Sequence, residues 1–147
     1  MAGHYLVLKS DFMKKKLLII CGILLAGQLA FSQEKEAEAI VQKSLDAYNA
    51  LDIDAFMALF SEDIEMYNFH EPELRAKGLD EVRAVYKRMF DASPDLHSKI
   101  VNRIVFDNKV IDHEYITGAY GKEEPFELVF IYEIKDGKIV RTTAIRK

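Results

Sequence analysis

His70 and His113 are the side chains best suited to move a proton near neutral pH, because an imidazole titrates there. Asn68, Asn102, Tyr115, Tyr132 and Ser44 add groups that can hydrogen-bond a ligand oxygen or stabilise charge building on it. Each histidine also has a structural reading, as a polar group satisfied by its neighbours. His97, beside Ser93-Pro94, reads as a rim residue. Metal chemistry is not expected: His70, His97 and His113 lack paired ligand spacing, and Cys21 lies in an apolar N-terminal run. Adjacent strand residues face opposite ways, which weakens Asp112-His113-Glu114 as a cluster. Phosphate loop, nucleophile elbow and paired-carboxylate motifs are absent from the sequence, and no cofactor is expected.

Convergence of these groups depends on the elements beneath them. Ala37, Ile40, Val41, Leu45 and Tyr48 follow helical spacing, with Ser44 on the same face. A short second helix is predicted after Asp52, its N-cap, with Ile53, Phe56, Met57 and Phe60 inward. The third runs from Leu79 to about Asp91. Strands are predicted over 64–70, 96–106, 110–117, 126–134 and 139–145, with turns at Asp107-Asn108 and Asp136-Gly137. Helices followed by a mainly antiparallel meander make an α+β domain.

Alternation then assigns faces. Ile64, Met66, Asn68 and His70 share one side of the first strand. The more apolar set of the second, Ile100, Asn102, Ile104 and Phe106, is predicted to face inward. A two-residue turn pairs Phe106 with Lys109 and Asn102 with His113. Ile111, His113, Tyr115 and Thr117 then fall inside, leaving Asp112 and Glu114 outside near Arg103 and Lys99. Phe126, Leu128, Phe130, Tyr132 and Ile134 face inward in the next strand. At the final hairpin a two-residue turn puts Arg141 inside, whereas a three-residue turn puts Thr142 and Ala144 there.

The 147 residues carry a net charge of −4, which argues against a nucleic-acid partner. Lys14, Lys15 and Lys16 precede an apolar run from Leu17 to Phe31 that ends at Ala30 and Ser32. This pattern predicts a signal peptide over 13–32, cleaved after Ser32, with translation starting at Met13 and residues 1–12 a non-native upstream extension. Cleavage would leave the 33–147 domain with 16 Lys and Arg against 23 Asp and Glu, no cysteine and no stable membrane anchor, in the periplasm or the medium.

The stretches Ala50-Leu51-Asp52-Ile53-Asp54-Ala55-Phe56, Leu59-Phe60-Ser61-Glu62-Asp63 and Gly78-Leu79-Asp80-Glu81-Val82 occur in that order. Ser93-Pro94-Asp95-Leu96-His97, Asn102-Arg103-Ile104 and Tyr132-Glu133-Ile134-Lys135-Asp136-Gly137-Lys138-Ile139 follow. In order and spacing they resemble the SnoaL-like group of the nuclear transport factor 2-like superfamily over about residues 36–146. The resemblance implies three helices on a strongly curved, mainly antiparallel sheet, a cone-shaped α+β barrel. It also implies a small apolar molecule in the cone, a homodimer through the sheet, and Thr142 rather than Arg141 inside. The three catalytic positions of the ketosteroid isomerase branch fall on Ser44, Asn68 and Phe130. An amide cannot serve as base, so the resemblance argues against that activity.

The expected cavity is apolar, with Met66 and Phe130 in its wall and Ser44, Asn68, Asn102, Tyr115, Tyr132 and Thr142 contacting a ligand. Three functions stay open: binding a small apolar or amphipathic molecule; cofactor-free isomerase, dehydratase or hydrolase chemistry by His113 and His70; and a protein-interaction module.

Overall fold

The computed structural model describes residues 32–71 and 73–146. The upstream extension, and all of the expected signal peptide except Ser32, lie outside the described residues. Helix α1, over 32–49, buries Ala37, Ile40, Val41, Ser44 and Ala47 on one face, as its periodicity predicts. Helix α2 (Ile53–Met57) is capped by Asp52, whose Oδ1 accepts from the Asp54 and Ala55 backbone N–H groups at 3.1 and 2.9 Å. Helix α3 (Gly78–Asp91) buries Val82, Tyr86 and Phe90.

Six strands follow the order β2-β1-β6-β5-β4-β3 in an open, curved sheet. They are β1 (Phe60–Asn68), β2 (Leu74–Lys77), β3 (His97–Phe106), β4 (Lys109–Thr117), β5 (Phe126–Lys135) and β6 (Lys138–Arg146). All pairings are antiparallel except β1 with β6. Strand β2 was not foreseen: four residues with one buried side chain, Ala76, give no readable alternation. Ile64, Val82, Val110 and Ile139 have no exposed surface, and each contributes about 1.5–3 kcal/mol by leaving water.

Both hairpins turn in two residues. Phe106 pairs with Lys109 around Asp107 at φ 55°, and Asn102 pairs with His113, as expected. Lys135 pairs with Lys138 around Asp136 and Gly137, both left-handed at φ 51° and 73°. Thr142 and Ala144 do turn inward, but the three-residue turn is not the cause. Ile134 opposes Ile139 while Glu133 opposes Arg141, so Val140 is an extra residue whose bulge reverses parity.

A second bulge corrects the face assignment of β3. Ile100 opposes Glu114 and Asn102 opposes His113, which leaves Val101 unopposed. Beyond it Arg103 and Val105 turn inward, while Asn102, Ile104 and Phe106 turn outward. Their β4 partners follow: Val110, Asp112, Glu114 and Ile116 are buried, and Ile111, His113 and Tyr115 share the outer face. The expected pairings stand; Ile100, before the bulge, keeps its expected inner side, and beyond it the expected inside of this hairpin is its outside.

Candidate functional site

An aromatic cluster fills much of the space between helices and sheet. Tyr48, Phe56, Phe60, Tyr86 and Phe90 meet mostly tilted or edge-on, Phe56 and Tyr86 with centroids 4.5 Å apart. A cavity of about 80 Å³ remains. It is smaller than the ~150 Å³ engineered void that admits benzene, so any guest must be small or must displace side chains.

Tyr48 of α1, Val85 and Met89 of α3, and Ile116, Leu128 and Phe130 of the sheet supply its apolar wall. Tyr120 and Phe126, both exposed, lie on its open side with Arg75 and Arg146. Tyr120 is held there by a tight turn: Gly118 is left-handed at φ 70°, and the Tyr120 N–H donates to the buried Ser93 Oγ at 2.7 Å.

Glu114 is the carboxylate of this cavity. Its Oε2 accepts from Ser98 Oγ at 2.8 Å and its Oε1 from the Tyr132 hydroxyl at 3.1 Å. Burial pushes its pKa above the ordinary carboxylate value, against the opposing pull of those two hydrogen bonds. Burial likewise raises the Tyr132 and Tyr48 phenols, with the neighbouring Glu114 charge adding to both. The Ser98 backbone is clasped by Asn49, whose Oδ1 accepts from Ser98 N–H at 2.7 Å while its Nδ2 donates to Ser98 O at 3.0 Å. The end of α1 thereby sets where Glu114's partner stands.

Two residues along β4, Asp112 accepts two hydrogen bonds from Arg103 at 2.7 Å each, with side-chain exposures of 1% and 12%. Arg103 also donates to Gln42 Oε1 of α1 at 2.9 Å.

Of the residues expected at the site, Met66, Phe130 and Tyr132 border this cavity. Ser44 and Thr142 are buried without bordering it. Asn68 ends β1, donates to Glu71 at 2.8 Å and borders a shallow depression with Tyr67 and Arg141. His113, Asn102 and Tyr115 are corrected to the outer sheet face, where His113 Nε2 lies 2.6 Å from Glu127 Oε2. His70 stands beyond the end of β1, exposed, so strand alternation does not carry it inward. Glu114, Arg75 and Arg146 were missed. For Glu114 a signal existed: it alternates with Val110, Asp112 and Ile116, and an inward Arg103 would have supplied Asp112 with a partner.

A family model described as a SnoaL-like domain matches residues 41–142. No curated protein matches the chain. Solved structures do. An uncharacterized cystatin fold protein from Novosphingobium aromaticivorans is 24% identical, with TM-score 0.67 over 76% of this chain and 97% of its own. An LEH-like epoxide hydrolase from M. tuberculosis is 18% identical, with TM-score 0.67 over 77% and 84%. A SnoaL-like protein of unknown function from Burkholderia thailandensis is 23% identical, with TM-score 0.63 over 77% and 95%. At these identities the likeness is one of fold.

Proposed function

Since the chain belongs to the SnoaL-like domain family, whose fold alone fixes no activity, we propose its function from the cavity: it binds a small, mainly apolar molecule there. The observation that carries this reading is an apolar wall interrupted by one hydrogen-bonded carboxylate, Glu114, held by Ser98 and Tyr132. Such a wall with few convergent polar groups suits ligand capture. Glu114 and the Tyr132 oxygen accept from a hydroxyl on the guest and so orient it. Its apolar body packs against the wall beside Tyr120 and Phe126. Histidine catalysis has less support than binding, because neither His113 nor His70 borders the cavity.

A thermal-shift screen of small apolar alcohols and ketones tests this, since a ligand of the folded state raises the melting temperature by mass action. Val85→Trp, which fills the wall from α3, is expected to abolish the shift while the variant keeps its far-UV circular dichroism. A folded Val85→Trp protein that still responds would rule the cavity out.

Two further parts of the reading concern location and assembly. The protein is exported, on the strength of the basic and apolar segment over 13–32. N-terminal sequencing of the extracytoplasmic protein should begin at Gln33, and recovery starting at Met13 would refute cleavage. A second copy covers the outer sheet face, where Ile104 and Phe106 are 52% and 71% exposed.

A further inference from the structure

The rim of the cavity differs from its wall. Arg75 of β2 and Arg146 of β6 both border it, and neither has a carboxylate within ion-pair distance among the described residues. Elsewhere the guanidinium groups of Arg83, Arg103 and Arg141 are matched by Asp54, Asp112 and Glu65. Arg88 likewise has no carboxylate partner among the described residues, but it does not border the cavity. Two unneutralised cations beside one apolar opening, in a chain of net charge −4, form a local field of the opposite sign to the molecule.

We infer that the guest is an anionic amphiphile: a compact apolar body seated in the cavity, with a carboxylate held at the rim by Arg75 and Arg146. This rests on the cavity reading and adds the ligand's charge and orientation. Guanidinium forks match a carboxylate with paired, charge-assisted hydrogen bonds. The interior enforces the same orientation. Glu114 is buried there with both oxygens already accepting, so a second carboxylate pushed inward meets an acceptor-only group and like charge. Head outward and body inward leaves each group against its complement. A single ring or a short branched chain enters this cavity of about 80 Å³ only by displacing wall side chains, and the exposed Tyr120 and Phe126 line it.

Titration calorimetry of the full domain with benzoate, benzamide and acetate separates the contributions. Benzamide keeps the shape of benzoate without its charge, and acetate keeps the charge without the ring. Benzoate is expected to bind at least about tenfold more tightly than either, and to lose that advantage in about 0.5 M NaCl. Arg75→Gln and Arg146→Gln should each weaken benzoate several-fold and leave benzamide unchanged. Both arginines are exposed, so an unchanged melting temperature of each variant verifies the fold. Equal affinity for benzoate and benzamide would overturn the anionic guest while sparing the cavity. Equal affinity for acetate and benzoate would reduce the rim to a surface anion site and overturn the seated body. Absence of binding by all three, alongside a positive screen with neutral alcohols and ketones, would overturn this inference alone; failure of both would overturn the cavity with it.

Discussion

Two carboxylates on the inner face of β4 meet burial in different ways. Asp112 is paired with Arg103 through both oxygens, so removing it strands a largely buried guanidinium. Asp112→Ala is therefore expected to cost about 3 kcal/mol in urea unfolding, more than a surface pair would. Glu114 has hydroxyl partners instead, and burial raises its pKa above the ordinary 4.5. A carboxyl group raised in the folded state favours folding most when protonated. Its contribution falls as pH climbs from the unfolded value through the folded one. Glu114→Gln removes that titration. The stability of the variant relative to wild type should rise between pH 4 and pH 8, measured by denaturant midpoints; a pH-independent difference would show that Glu114 titrates normally. On the outer face, Glu65 shows the reverse case. Hydrogen bonds from Lys77, Tyr67 and Arg141 hold it at about 2, so whatever it contributes is lost only as pH falls below the usual carboxylate range.

The elements were legible where periodicity was strong. α3, the Asp52 cap and the two-residue Asp107-Asn108 turn follow from apolar spacing and turn chemistry alone, whereas the last hairpin was expected to turn in three residues and turns in two. Side assignment failed on β3, where Val101 enters without a pattern to announce it; on β6 it held although the bulge at Val140 was not foreseen. Val101 and Val140 are both β-branched residues well suited to a regular strand, so nothing in their type marks a bulge. Apolar count also misled, because Ile104 and Phe106 are more apolar than Arg103 and yet face outward. A glycine carries the clearest demand at this scale. At Gly118 the backbone is left-handed, and an added methyl would strike the Asp95 carbonyl. Gly118→Ala should destabilise by at least about 2 kcal/mol and disturb the turn that places Tyr120 beside the cavity. Thermal unfolding gives the first effect, and tyrosine fluorescence quenching by added iodide gives the second.

For the molecule as a whole, the proposed second copy would dock on the outer sheet face. Ile104 and Ile111 pair across β3 and β4, Ile131 extends the row on β5, and Thr143 continues it on β6. Polar pairs flank this row: His113 with Glu127 on one side, and Glu65 with Lys77 and Arg141 on the other. An apolar stripe with a polar border is what one copy offers to a second. Sedimentation equilibrium should give a dimer, and Ile104→Lys should give a folded monomer; a wild-type monomer at micromolar concentration would refute the pairing. The same row explains why the site was only partly readable, since apolar residues on an outer sheet face look, in sequence, like residues that cover a core.

The parallel contact between β1 and β6 has a bearing on how the chain is made. Until Lys138–Arg146 is available, β1 with β2 and β3 through β5 are separate ladders with no strand between them. The last hairpin thus acts as the keystone of the sheet. Before β6 is in place the chain holds two unjoined ladders, and the long connection between first and last strands closes only when Lys138–Arg146 pairs with both β1 and β5. Truncation before Lys138 should therefore yield an aggregating fragment instead of a smaller folded domain.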